Sequence, residues 1–240
     1  MKNYNVAMGV LLIFMVLLAG CVTSNPNYFN MAGEALNRRD FDQAIEYYDR
    51  EIRANPNHAA AYNNRGIAYH SIGDYEQAIA DFSRAIQIEP HYSRYNNRSL
   101  SYYELGNYEM ALVDVNEALR RSSNNVLSLI RRGVIYYRME DYELAIIDFN
   151  RAIELDPNSF LAYGNRGYSY IFTGDLEQAL IDLNEAIRIN PNFTLAYSSR
   201  ALLYEKMENY EAAIADLEML LRLDPNYTGA EENLQRLRLY

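Results

Sequence analysis

The chain has 240 residues, with 22 lysines and arginines against 32 aspartates and glutamates, and a formal net charge of −10. That balance argues against nucleic acid as a partner, because phosphate neutralisation depends on Lys and Arg. Half of the residues are hydrophobic, which supports a packed core, and the single cysteine excludes both an intramolecular disulfide and a cysteine-based zinc cage. There are 23 tyrosines and no tryptophan, so tyrosine must carry the aromatic packing.

Residues 1–20 contain one charged side chain, Lys2, and an almost wholly apolar run from Val6 to Leu18. A bilayer-spanning helix needs about 20 apolar residues, and this run of about 13 has the length of a signal-peptide core. Cys21, the only cysteine, follows directly. Leu18-Ala19-Gly20-Cys21 resembles the lipobox of bacterial lipoproteins. The resemblance implies cleavage before Cys21, lipidation of its thiol, and a short tether over residues 21–24. It also implies the cell envelope and, with Val22 in place of an aspartate, the periplasmic side of the outer membrane. Two or more acyl chains hold a protein stably at a bilayer, each buried CH₂ contributing about 0.8 kcal/mol.

From there one period governs the chain. Prolines at 56, 90, 157, 191 and 225 stand 34, 67, 34 and 34 residues apart, the double gap passing Ser123. A fixed period of this size marks a helical solenoid. Within it the pattern is Tyr62, Gly66, Tyr69, Ala78, Phe82, Ala85 and Pro90, and again Tyr163, Gly167, Tyr170, Ala179, Leu183, Ala186 and Pro191. Gly73-Asp74, Gly106-Asn107 and Gly174-Asp175 divide the period into two helices of about 12–14 residues, and the prolines stop the second. The pattern resembles the tetratricopeptide repeat over residues 25–227. The resemblance implies an all-α, right-handed superhelical solenoid of six helix pairs: 25–58, 59–91, 92–125, 126–159, 160–193 and 194–227. The segment 59–91 is one residue short after Pro90. Thr228-Gly229-Ala230-Glu231 has the form of a capping box, and Ala230, Leu234 and Leu237 make one stripe, so residues 228–240 read as a capping helix.

His58, His70 and His91 lack metal-ligand spacing, and no glycine-rich phosphate loop is present. No catalysis, cofactor or metal is therefore expected. Arg65, Arg98, Arg132, Arg166 and Arg200 share one slot of the first helix, and Asp81, Asp114, Asp148, Asp182 and Asp216 follow sixteen residues later in the second. Equal number and phase predict a structural ion pair in every repeat. A second row holds Asn30, Asn64, Asn97 and Asn165, with Arg131 and Ser199 completing it. The resemblance places this row on the inner face, where amides can donate to and accept from a peptide backbone. The lysine and asparagine clamp of chaperone-binding members is absent. Inner positions are instead apolar and aromatic: Leu100, Tyr103, Val134, Tyr137 and Tyr168, the tyrosines lying outside the consensus aromatic slots filled by Tyr102, Tyr136 and Tyr170. With Asn64, Asn97 and Asn165 they form the expected partner-binding surface, suited to an amphipathic helix or extended segment. The expected function is a membrane-anchored scaffold for other envelope or membrane proteins. The alternative, a ligand-binding accessory subunit of a solute transporter, calls for a deep closed pocket.

Overall fold

Thirteen helices and no strand make up residues 27–239, the part described in a computed structural model; the expected leader, Cys21 and its tether lie outside it. Six helix pairs follow one another: α1 (Tyr28–Asn37) with α2 (Phe41–Ala54), α3 (Ala59–Ser71) with α4 (Tyr75–Ile88), α5 (Tyr92–Glu104) with α6 (Tyr108–Arg121), α7 (Val126–Arg138) with α8 (Tyr142–Leu155), α9 (Phe160–Thr173) with α10 (Leu176–Ile189), and α11 (Thr194–Lys206) with α12 (Tyr210–Leu223). α13 (Ala230–Leu237) closes the stack on α12. Each first helix packs on its own second helix and on that of the preceding pair, and successive first helices touch each other. The first helices therefore form the inner layer and the second helices the outer one.

Local chemistry sets the boundaries. Asp40, Asp74, Asn107, Asp175 and Asn209 start second helices by accepting a hydrogen bond from the backbone N–H three residues on, at 3.1–3.3 Å. The preceding turn needs a left-handed residue in every pair. Glycine supplies it at Gly73, Gly106 and Gly174, while Arg39, Glu140 and Glu208 adopt φ of 58–65° without that freedom.

Small residues set the helix separation. A Cβ on Gly66 would stand 2.7 Å from the Phe82 ring, and one on Gly133 would stand 2.6 Å from the Phe149 ring. The short connection after Pro90 is closed by Arg94, a buried guanidinium that donates to the Glu89 carbonyl oxygen and, at 2.7 Å, to the Glu89 carboxylate. One expectation changes at the C-terminal end. Thr228 does not cap α13: the N-cap is Gly229, left-handed at φ 78°, and no side chain bonds there. The helix is held instead by burial of Ala230, Leu234 and Leu237 and by ion pairs from Arg236 to Glu205 and Arg238 to Glu218, each at 2.8 Å.

Candidate functional site

The arginine row lies between the outer helices. Each of the five guanidiniums donates two parallel hydrogen bonds of 2.6–2.8 Å to the aspartate sixteen residues on: Arg65 to Asp81, Arg98 to Asp114, Arg132 to Asp148, Arg166 to Asp182 and Arg200 to Asp216. The third arm reaches back to the preceding outer helix, fifteen residues from Arg98 to Ser83 and sixteen in the others, where Asp49, Asn116, Asn150 and Asn184 accept. Four of the guanidiniums, those of Arg65, Arg98, Arg166 and Arg200, also lie 5.5–5.9 Å over the tyrosine three residues before them. All five aspartates are buried. Burial pushes the Asp81, Asp114 and Asp182 carboxyls above their usual range, against the pull of the paired guanidinium. This row is a structural stitch and offers no free cation to a ligand.

On the inner layer, Leu100, Tyr103 and Val134 converge with Ser99, Ile130, Arg131 and Ile135 around a cavity of about 90 Å³ between α5 and α7. Its wall is almost wholly apolar. The Tyr103 hydroxyl accepts from Arg138 Nε at 2.8 Å, and that guanidinium lies 5.9 Å over the ring.

One repeat further on, Tyr137 and Tyr168 meet at 4.9 Å between ring centroids, and Phe172 joins them at 5.6 and 5.3 Å. Tyr142 stacks on Phe172 at 5.1 Å. All three predicted tyrosines are half-buried, but they do not stand free in a row: Tyr137 and Tyr168 pack into a four-ring cluster, and Tyr103 is held apart with Arg138 and Tyr108. Burial, with the Tyr168 hydroxyl beside it, pushes the Tyr137 phenol well above its ordinary pKa.

The amide row is engaged within the chain. Asn97 Nδ2 donates to Asn63 Oδ1, Asn63 Nδ2 donates to Asn64 Oδ1, each at 3.1 Å, and Asn165 Nδ2 donates to the Leu161 carbonyl oxygen at 2.8 Å. Asn96, buried one position earlier, donates to Ser128 Oγ at 2.7 Å. Each of Asn64, Asn97 and Asn165 keeps part of its bonding capacity, but the amides are a network, not a bare ladder. Sequence reasoning did not select Phe172, four residues after Tyr168 on the same helix face. Nor did it select Arg131, although that residue interrupts the amide row with a charge.

Among the described residues, no group of three or more His, Cys, Asp and Glu side chains is placed to hold a metal ion. No described helix is long and apolar enough to cross a membrane.

Family models described as tetratricopeptide repeat match residues 29–93, 92–125, and 126–159, 160–193 and 194–227. No curated protein matches the sequence. Among solved structures, the chain resembles one from the Cut9–Hcn1 hetero-tetramer of the APC/C, with a TM-score of 0.78 at 20% identity. The match covers 88% of this chain and 42% of that one, so the chain spans less than half of that relative. Pseudomonas aeruginosa PilF aligns over 87% of this chain and 96% of its own, with a TM-score of 0.73 at 16% identity. YrrB, described as a repeat protein with an unusual peptide-binding site, aligns over 80% of this chain and all of its own, with a TM-score of 0.59 at 23% identity. At these identities the likeness is one of fold.

Proposed function

Because the chain belongs to the tetratricopeptide repeat family, we propose that it is a membrane-anchored scaffold of the bacterial cell envelope that holds a segment of a partner protein on its inner layer. Proteins of this family act as protein-interaction scaffolds. The observation that carries the reading is the cavity between α5 and α7, walled by Leu100, Tyr103 and Val134. At about 90 Å³ it has room for a side chain, whereas sites for whole small ligands run to about 300–1,000 Å³. That size suits one side chain of a bound peptide. The four-ring cluster at Tyr137 and Tyr168 and the amides of Asn97 and Asn165 extend the surface on either side, giving an apolar centre with a polar margin. The anchor is supported by Leu18-Ala19-Gly20-Cys21 and by the position of the thiol after a short apolar leader.

Display selection of short peptides on the full-length protein tests the groove. The wild type should enrich peptides carrying a large apolar side chain, and Leu100→Lys should enrich none while keeping its helical circular dichroism. Equal enrichment by both would overturn the groove. Fractionation tests the anchor: Cys21→Ala should leave the membrane or accumulate as uncleaved precursor. Normal processing with unchanged membrane partition would overturn it.

A further inference from the structure

Seven arginines in the described residues are buried or half-buried: Arg65, Arg94, Arg98, Arg131, Arg132, Arg166 and Arg200. Six of them have a carboxylate oxygen within 2.7 Å. Arg131 has none. Its one hydrogen bond runs from Nη1 to the backbone oxygen of Asn96 at 2.6 Å. A guanidinium has five N–H donors, so most of its capacity is unused. A cation taken out of water without a counter-charge is unfavourable, and folded chains pair such groups. Burial lowers the Arg131 pKa and no acid offsets it. A titratable group that it influences is His70, another potential cation.

The place of Arg131 matters as much as its isolation. It stands in the wall of the inner-layer cavity, beside Leu100, Tyr103, Ile130, Val134 and Ile135. Elsewhere in the same row the residue is an asparagine, at 30, 64, 97 and 165, or a serine, at 199. A charge therefore replaces an amide at the one position of that row that borders this apolar cavity.

We infer that Arg131 receives the carboxylate of an internal aspartate or glutamate in the bound segment, while an apolar side chain within four residues of it fills the adjoining cavity. The inference rests on the groove reading above and specifies its ligand. A carboxylate matches the planar guanidinium with two parallel hydrogen bonds and carries the single negative charge that one arginine balances. A phosphate dianion would exceed that charge on a chain whose net charge is already −10. The acid belongs inside the segment and not at its end, because inner-layer surface continues past Arg131 in both directions, to Asn97 on one side and to Tyr137 and Tyr168 on the other.

The test is peptide display on the full-length protein, with each library member blocked at both ends and a parallel library with free C-termini. The blocked library should enrich Asp or Glu within four residues of an aliphatic or aromatic residue. For a selected peptide, Asp→Asn exchange should weaken binding to the wild type about 10- to 100-fold and binding to Arg131→Gln hardly at all. Tyr137→Ala should weaken the Asp and Asn peptides by the same factor. Without ligand, Arg131→Met should unfold at a higher urea concentration than the wild type, since it removes a charge that has no partner. Four results would overturn the inference: enrichment without acids, enrichment confined to free C-termini, an Asp→Asn cost unchanged in Arg131→Gln, or a lower midpoint for Arg131→Met. If apolar peptides are still enriched in the first case, the groove stands and only the acid is lost. No enrichment from either library would remove both.

Discussion

Arg98 and Asp114 are joined by two hydrogen bonds of 2.7 Å, and the same guanidinium reaches Ser83 of the previous outer helix at 2.8 Å. One side chain thus ties three helices, α4, α5 and α6. Removing one partner leaves the other buried and unpaired, since only 1% of the Asp114 side chain is exposed. Arg98→Met alone should cost about 3–5 kcal/mol of unfolding free energy, and the double variant Arg98→Met, Asp114→Leu should recover most of it. Urea titration of the four members of the cycle measures the difference. Equal loss in the single and double variants would show that the pair itself stabilises the fold.

Gly133 faces the Phe149 ring at a distance that leaves no space for a methyl group. Gly133→Ala should destabilise by about 1–3 kcal/mol despite the higher helix propensity of alanine. Adding Phe149→Leu should restore part of the loss by making room. Thermal unfolding followed by circular dichroism reads both.

Tyr137 and Tyr168 share a ring contact inside their cluster. A double-mutant cycle to alanine should give a coupling energy of about 0.5–1.5 kcal/mol in stability, because each ring supports the other. Tyr137→Ala should therefore lower the melting temperature as well as weaken peptide capture. Capture lost with no change in melting would mean that the ring contributes only to binding.

His70 bonds Ser101 Oγ through Nδ1 at 3.0 Å and lies 5.1 Å from the Tyr75 ring. Burial lowers its pKa below the ordinary value of about 6.5, Glu104 pulls it up, and Arg131 pushes it down further. The unfolded chain then binds a proton more readily than the folded one, so stability rises with pH across this window. The contribution is complete above about pH 6.5 and is lost as pH falls through the histidine range. Urea midpoints for the wild type should drop between pH 7.5 and pH 5.5 by more than those of His70→Gln. Equal drops would assign the acid sensitivity to other groups.

The repeat was legible in the sequence because successive pairs bury the same slots: Ala78, Phe82 and Ala85 recur as Ala179, Leu183 and Ala186, all buried. The Arg–Asp stitch was legible because two rows kept one spacing. The four-ring cluster was not, since Tyr142 belongs to the consensus and Phe172 does not, and only the angle between adjacent pairs brings them together. The amides were misjudged for a related reason. Asn63 and Asn97 stand 34 residues apart, and nothing local announces that one donates to the other. Capping at Thr228 failed because Gly229 took the left-handed start in its place.

The stitch also bears on how such a chain can change length. Arg132 and Arg166 use the same three kinds of contact, the first closing on Asn116 and the second on Asn150. If residues 126–159 were excised, Arg166 would meet Asn116, an identical amide at an identical register position. Loss or duplication of that period therefore leaves the arginine stitch chemically satisfied. Repeat number is free to drift by gene-level duplication, and the inner surface lengthens or shortens with it. The excision that preserves the junctions here also removes Arg131, Val134 and Tyr137 together, so a shorter descendant could keep its fold and change its ligand in a single step.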